Sequence, residues 1–124
     1  RVAHAEYEAS SLASGDVIEM FNLPNGARIV SGRLAHDALG SSTTLSVGYA
    51  AHNNAAGTAV SASAAAYKAA AASTSATAVN AANTIALGEN SVVDADKDGL
   101  PVSVTMGGAA GTGTIQLTMM YVVD

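Results

Sequence analysis

The last fifth of the chain holds the clearest alternation, in two stretches. In "PVSVTM" (101–106) Val102, Val104 and Met106 fall on one side. In "TIQLTMMYVVD" (114–124) Ile115, Leu117, Met119, Tyr121 and Val123 oppose Thr114, Gln116, Thr118 and Met120. A period of two fits only extended backbone with one face turned to a core. The "GGAAGTG" between them (107–113) supplies turn chemistry, so the two strands are expected to form a hairpin.

Shorter stretches repeat the signal. "DVIEMFNL" (16–23) runs into "PNG" (24–26), where Pro presets one turn dihedral and Asn-Gly tolerates positive φ. "ARIVSGRLAHDAL" (27–39) is long, and Gly32 at its middle suggests a bend or bulge. In "TTLSVGYA" (43–50) Leu45, Val47 and Tyr49 alternate with Thr44, Ser46 and Gly48, and a polar connection follows at 51–61. "VNAANTIAL" (79–87) and "SVV" (91–93) read as weaker strands. Ahead of them, "ASAAAYKAAAA" (62–72) is the helix candidate, because Ala has the best helix propensity. It would lie on the sandwich with Tyr67 as packing anchor, or serve as a docking helix. The expected fold is mainly β, an antiparallel sandwich of jelly-roll type with one short Ala-rich helix in a connection. Residues 15–124 would form that single domain. Residues 1–14, "RVAHAEYEASSLAS", show no convincing period and are expected as an extended N-terminal arm anchored by Val2, Tyr7 and Leu12.

Composition narrows the function classes. Hydrophobic residues make up 49%, but 28 of them are Ala and only 33 are Val, Ile, Leu, Met, Phe or Tyr, so the core is thin and contacts with other chains would add stability. Without Cys there are no disulfides and no thiolate metal site. The net charge is −5 and the five cations Arg1, Arg28, Arg33, Lys68 and Lys97 are scattered, which speaks against nucleic-acid binding. No apolar run approaches the roughly 20 residues of a membrane-spanning helix.

Possible chemical sites are few. "DADKDG" (94–99) sets Asp94, Asp96 and Asp98 at alternate positions, as a calcium loop begins. Calcium takes about six to eight oxygens, and the place of the closing bidentate Glu is held here by Thr105. An acidic turn explains the same residues. "GGAAGTG" lacks the Lys and the following helix of a phosphate loop. His4, His36 and His52 have no metal-ligand spacing, and no motif activates a Ser or pairs His36-Asp37 with a nucleophile. The expectation is a protein that is not an enzyme and has no cofactor.

Two stretches together resemble a known family. "GDVI" (15–18), "LPNGARIV" (23–30), "DALGSSTTLSVG" (37–48) and the close "VTMGGAAGTGTIQLTMMYVVD" (104–124) resemble tailed-bacteriophage capsid decoration, or cement, proteins, over a little more than half of the chain. The middle, 51–90, matches nothing in that family. The resemblance implies a β-sandwich bound to the outside of the capsid. There it would staple neighbouring major capsid protein subunits, often as a homotrimer, assembled in the host cytoplasm and carried on the virion. Negative charge suits the outer face of a DNA-filled shell. A reading from another class is a carbohydrate-binding sandwich for host attachment. Its aromatic platforms would have to come from Phe21, Tyr7, Tyr49, Tyr67 and Tyr121.

Overall fold

The computed structural model describes residues 1–123. Asp124, with which the last strand was expected to end, lies outside them. Ten strands run in chain order: β1 (Val2–Leu12), β2 (Val17–Leu23), β3 (Ala27–His36), β4 (Thr44–Tyr49), β5 (His52–Asn53), β6 (Ala59–Val60), β7 (Ser63–Ala72), β8 (Thr77–Ala81), β9 (Leu100–Gly107) and β10 (Gly111–Val123). One 3-10 turn, Ile85–Leu87, precedes β9; Thr84 caps it, and Gly88 closes it with φ 88°.

Pairing follows one rule. The first strand pairs with the last, the second with the next to last, and so on inward to β5 with β6, every pair antiparallel. The chain is thus one long ribbon doubled back on itself. Two further pairings, β10 with β3 and β9 with β4, roll that ribbon up. The result is two four-stranded sheets ordered β1-β10-β3-β8 (sheet A) and β2-β9-β4-β7 (sheet B), with β5–β6 as a separate small ribbon. This strand order is the jelly roll.

The rolled ribbon corrects the expected C-terminal hairpin. β9 and β10 lie in different sheets, and "GGAAGTG" is a crossover between them. Each strand already has better partners, two apiece within its own sheet. The glycines serve the crossing: Gly108 has φ 77°, and a Cβ there would collide with the carbonyl of Ser42. Inward residues of the two sheets meet face to face. Val102, Val104 and Met106 of β9 and Ile115, Leu117 and Met119 of β10 are fully buried. They are joined by Leu23, Ile29, Leu34, Leu45 and Val47.

Three other expectations change. The Ala-rich segment is strand β7, not a helix. Three isolated turns of helix are marginal in water, whereas β4 offers an open row of backbone partners and Tyr67 a buried anchor. The strand expected at 79–87 is β8 followed by the 3-10 turn, and 91–93 pairs with β3 through a single bridge, Val92 to Arg28, with Val93 buried in the core. The bulge expected at Gly32 falls at Val30, where the register of β3 against β10 slips by one. Gly32 pairs regularly with Met119 and Ala81, and a Cβ there would press at 3.3 Å on both the Ala81 carbonyl and the Met119 side chain.

Candidate docking surface

Residues 1–14 were expected as an arm, but Val2–Leu12 do not stand apart from the domain. They form β1, the edge strand of sheet A, registered on β10 from Val2↔Met120 to Ala9↔Gly113. The signal for this was present in "AHAEYEA" (3–9), where Ala3, Ala5, Tyr7 and Ala9 alternate with His4, Glu6 and Glu8. Alanine made it look aperiodic. Of the three expected anchors, Val2 is 61% exposed and Tyr7 38%, while Leu12 is half-buried against the core.

The outer face of sheet A is open and ordered by cross-strand pairs. His4 Nδ1 lies 2.7 Å from Thr118 Oγ1, Gln116 Nε2 donates to Glu6 at 2.7 Å, and Thr114 Oγ1 donates to Glu8 at 2.6 Å. All three are pairs of directly opposed residues. Beyond this polar ladder the face turns apolar. Val2 and Met120 are paired neighbours, Val122 follows two residues on, and Val30 stands out on β3; all four are exposed. A depression of about 430 Å³ opens beside them, lined by Gly32, Arg33, Asn80, Asn83, Glu89 and Met120 among others.

Sheet B is covered differently. The backbone of Ser63 and Ala64 lies where a Cβ of Gly48 would be, so the entry to β7 crosses the outside of β4. Ser46 and Ser103, which face that side, are buried as a result.

Tyr49, Tyr67 and His52 pack against one another. Tyr67 is 5% exposed, its ring centroid 6.1 Å from that of Tyr49, which in turn meets His52 edge-on at 5.2 Å. Burial, with a smaller contribution from Tyr49, pushes the Tyr67 hydroxyl up to about 12. The depression of about 440 Å³ alongside is walled by these rings, Asn54 and Asp94.

The three aspartates of "DADKDG" are engaged in hydrogen bonds or an ion pair. Asp94 Oδ1 accepts from the Ala55 amide at 3.0 Å and so ties down the β5–β6 ribbon. Asp96 Oδ1 accepts from the Asp98 amide at 2.9 Å, and Gly99 closes the turn onto the Asp96 carbonyl. Asp98 pairs with Lys97 at 3.2 Å, both exposed. Among the described residues no three His, Asp or Glu side chains are grouped to hold a metal. His36 Nδ1 contacts its neighbour's carbonyl, that of Asp37, at 2.8 Å, and His52 Nδ1 contacts the Ala50 carbonyl at 2.9 Å. The three histidines thus sit in separate settings: His4 on β1, His36 at the end of β3, His52 in the β5–β6 ribbon.

No family model and no curated relative matches the sequence. Solved structures do match in fold. A chain of the capsid asymmetric unit of cyanophage Pam1 superposes with a TM-score of 0.71 at 19% identity, over 100% of this chain and 84% of that one. A chain of the capsid of Ralstonia phage GP4 gives 0.73 at 21%, over 99% and 83%. A chain of the acid-stable capsid of the Helicobacter pylori bacteriophage KHP30 gives 0.64 at 15%, over 98% and 85%. At such identities the likeness is one of fold, and it extends over essentially the whole chain.

Proposed function

We propose that this chain is a structural virion protein that binds the outer surface of a phage capsid and bridges neighbouring major capsid protein subunits. The observation that carries the reading is the fold: the same rolled ribbon, end to end, in chains from three phage capsids. The surface supports it. Sheet A presents an exposed apolar ridge, Val2, Val30, Met120 and Val122, bordered by polar groups, which is the anatomy of a docking face. A net charge of −5 favours the outside of a shell packed with phosphate. Binding a shell also stabilises a domain with so little large apolar side chain, since whatever binds only the folded state raises its stability.

The test uses heads that lack the protein. Purified chain added to them should co-sediment and raise the temperature at which they disrupt. Replacing both Val2 and Met120 by Asp should weaken binding by at least about tenfold, as loss of a central contact does, with the sandwich still folded by circular dichroism. Deleting residues 1–14 is a poor substitute, because it strips β1 from β10 and exposes Leu117 and Met119. Heads that ignore the protein at micromolar concentration would end this reading.

A further inference from the structure

We infer that the free edge of β1 is a twofold pairing surface for a second copy of this chain. The inference rests on β1 alone and is independent of the capsid reading.

The phase of the ladder shows which groups are free. The Arg1 nitrogen donates to the Tyr121 carbonyl at 2.8 Å, and the Tyr121 amide donates to the Arg1 carbonyl at 2.9 Å. Arg1 and Tyr121 are therefore a hydrogen-bonded pair. In an antiparallel ladder such pairs alternate with non-bonded ones. Continued along the register, Ala3, Ala5, Tyr7 and Ala9 bond to β10, and Val2, His4, Glu6 and Glu8 turn their amides and carbonyls outward. Among the described residues nothing pairs with that edge.

The other edges carry features that discourage strand addition. β2 has one register shift and β7 two, while β8 is only five residues long. β1 runs regularly from Val2 to Ala9, with neither Pro nor Lys. Bulges, short strands, Pro and charged side chains, Lys above all, are the usual protections of an edge; over that stretch β1 has only the charges of Glu6 and Glu8.

Its side chains are complementary to themselves. An antiparallel partner centred on Ala5 uses the regular segment Arg1–Ala9 from end to end. On the outer face that register sets His4 against Glu6 of the second copy, and Val2 against the aliphatic stem of Glu8, each twice by symmetry. On the inner face it sets Ala3 against Tyr7 and Ala5 against Ala5, small against large and small against small. Tyr7, 38% exposed at the edge of the isolated domain, would be covered. Centring on Glu6 would oppose two carboxylates, and centring on His4 would oppose two imidazoles, so charge selects the register. Two sheets A would then become one eight-stranded sheet with isologous symmetry.

Sedimentation velocity over about 1 µM to 1 mM, a range that brackets small interfaces, should show a monomer–dimer equilibrium. Amide exchange followed by NMR supplies the residue-level readout. On concentration, Val2, His4, Glu6 and Glu8 should gain protection, whereas Ala3, Ala5, Tyr7 and Ala9 should be protected already. Glu6→Lys should weaken the dimer about tenfold or more, because it removes both His4–Glu6 pairs. Adding His4→Glu to it should restore dimerisation. Glu6→Pro should abolish pairing without costing a backbone bond to β10, since that amide points outward, and its circular dichroism should match the parent's. The inference is overturned by a monomer throughout the range, by the trimer that the family resemblance implies, or by a dimer indifferent to Glu6→Lys.

Discussion

β10 and β1 lie side by side in sheet A and match residue for residue, yet they are built on opposite terms. Every inward position of β10 from Ile115 to Met119 holds a large side chain with no exposure, and β10 has a strand on either side. The inward positions of β1 hold Ala3, Ala5, Tyr7 and Ala9, only Ala9 is fully buried, and one flank is open. β7, an edge of sheet B, is Ala-rich like β1, but its single tyrosine, Tyr67, is buried. Central strands therefore contribute burial, and edge strands contribute backbone pairing and a surface. A jelly roll needs both, and it keeps its large residues where two faces and two neighbours can cover them.

The largest effect should come from breaking the centre. Leu117→Ala removes a side chain with no exposure, between Ala5 on β1 and Leu34 on β3. It should cost about 2–5 kcal/mol, transfer and cavity together. Urea denaturation followed by circular dichroism would measure it as a lower midpoint at unchanged slope. Ala5→Gly on the neighbouring strand should cost a much smaller amount, about 1 kcal/mol.

The anchor of the other edge can be tested by pH. Tyr67 holds its proton more tightly in the folded chain than the usual 10, up to about 12, because burial disfavours the phenolate. Its contribution is thus intact below pH 10 and is lost as pH rises from 10 through 12. The loss should be about 1.4 kcal/mol per pH unit over that window, a little under 3 in all. Tyr67→Phe should flatten that alkaline fall while leaving stability near neutrality almost unchanged. A parent whose stability does not fall between pH 10 and 12 would mean that Tyr67 is not buried, and with it that β7 is not docked.

Between centre and edge stands the crossing at Gly48. Gly48→Ala should cost about 1–3 kcal/mol, because the new methyl meets the backbone of Ser63 and Ala64 and the strands β4 and β7 must part. Loss of amide protection confined to β7 would locate the damage.

The same division explains what could be read from the sequence. β2, β3, β4, β9 and β10 were legible because each opposes large apolar residues to polar ones. β1 and β7 were not, because alanine is too small to mark a face and its helix propensity points elsewhere: "ASAAAYKAAAA" reads as helix to any scale based on propensity alone. The pairing of β9 was misread for another reason. Adjacent, well-phased strands with a glycine link suit a hairpin locally, and only the presence of β1, β2, β3 and β4 as competing partners sends β9 and β10 to different sheets. Of the candidate surface, Val2 and Tyr7 were visible as apolar residues in a polar setting. Met120 was already legible on the outward side of the period, whereas Val122 was hidden in the apolar run that closes β10. The acidic turn at 94–99 was legible as a turn, and its tie from Asp94 to Ala55 was not, because no pattern within either segment records a contact across the fold.

The smallest effect is also the most discriminating about β7. Ala72 lies directly opposite Thr44 and is exposed. In a helix, Ala72→Thr would exchange the best helix former for a β-branched residue and lower stability. In the strand it improves the local preference and creates a Thr–Thr cross-strand pair, which should raise stability by a few tenths of a kcal/mol, up to about 1. The sign alone decides, so even a small shift of the thermal midpoint is informative. An upward shift fits an edge strand held by backbone pairing, and a downward one would return residues 63–72 to the helix that their composition suggests.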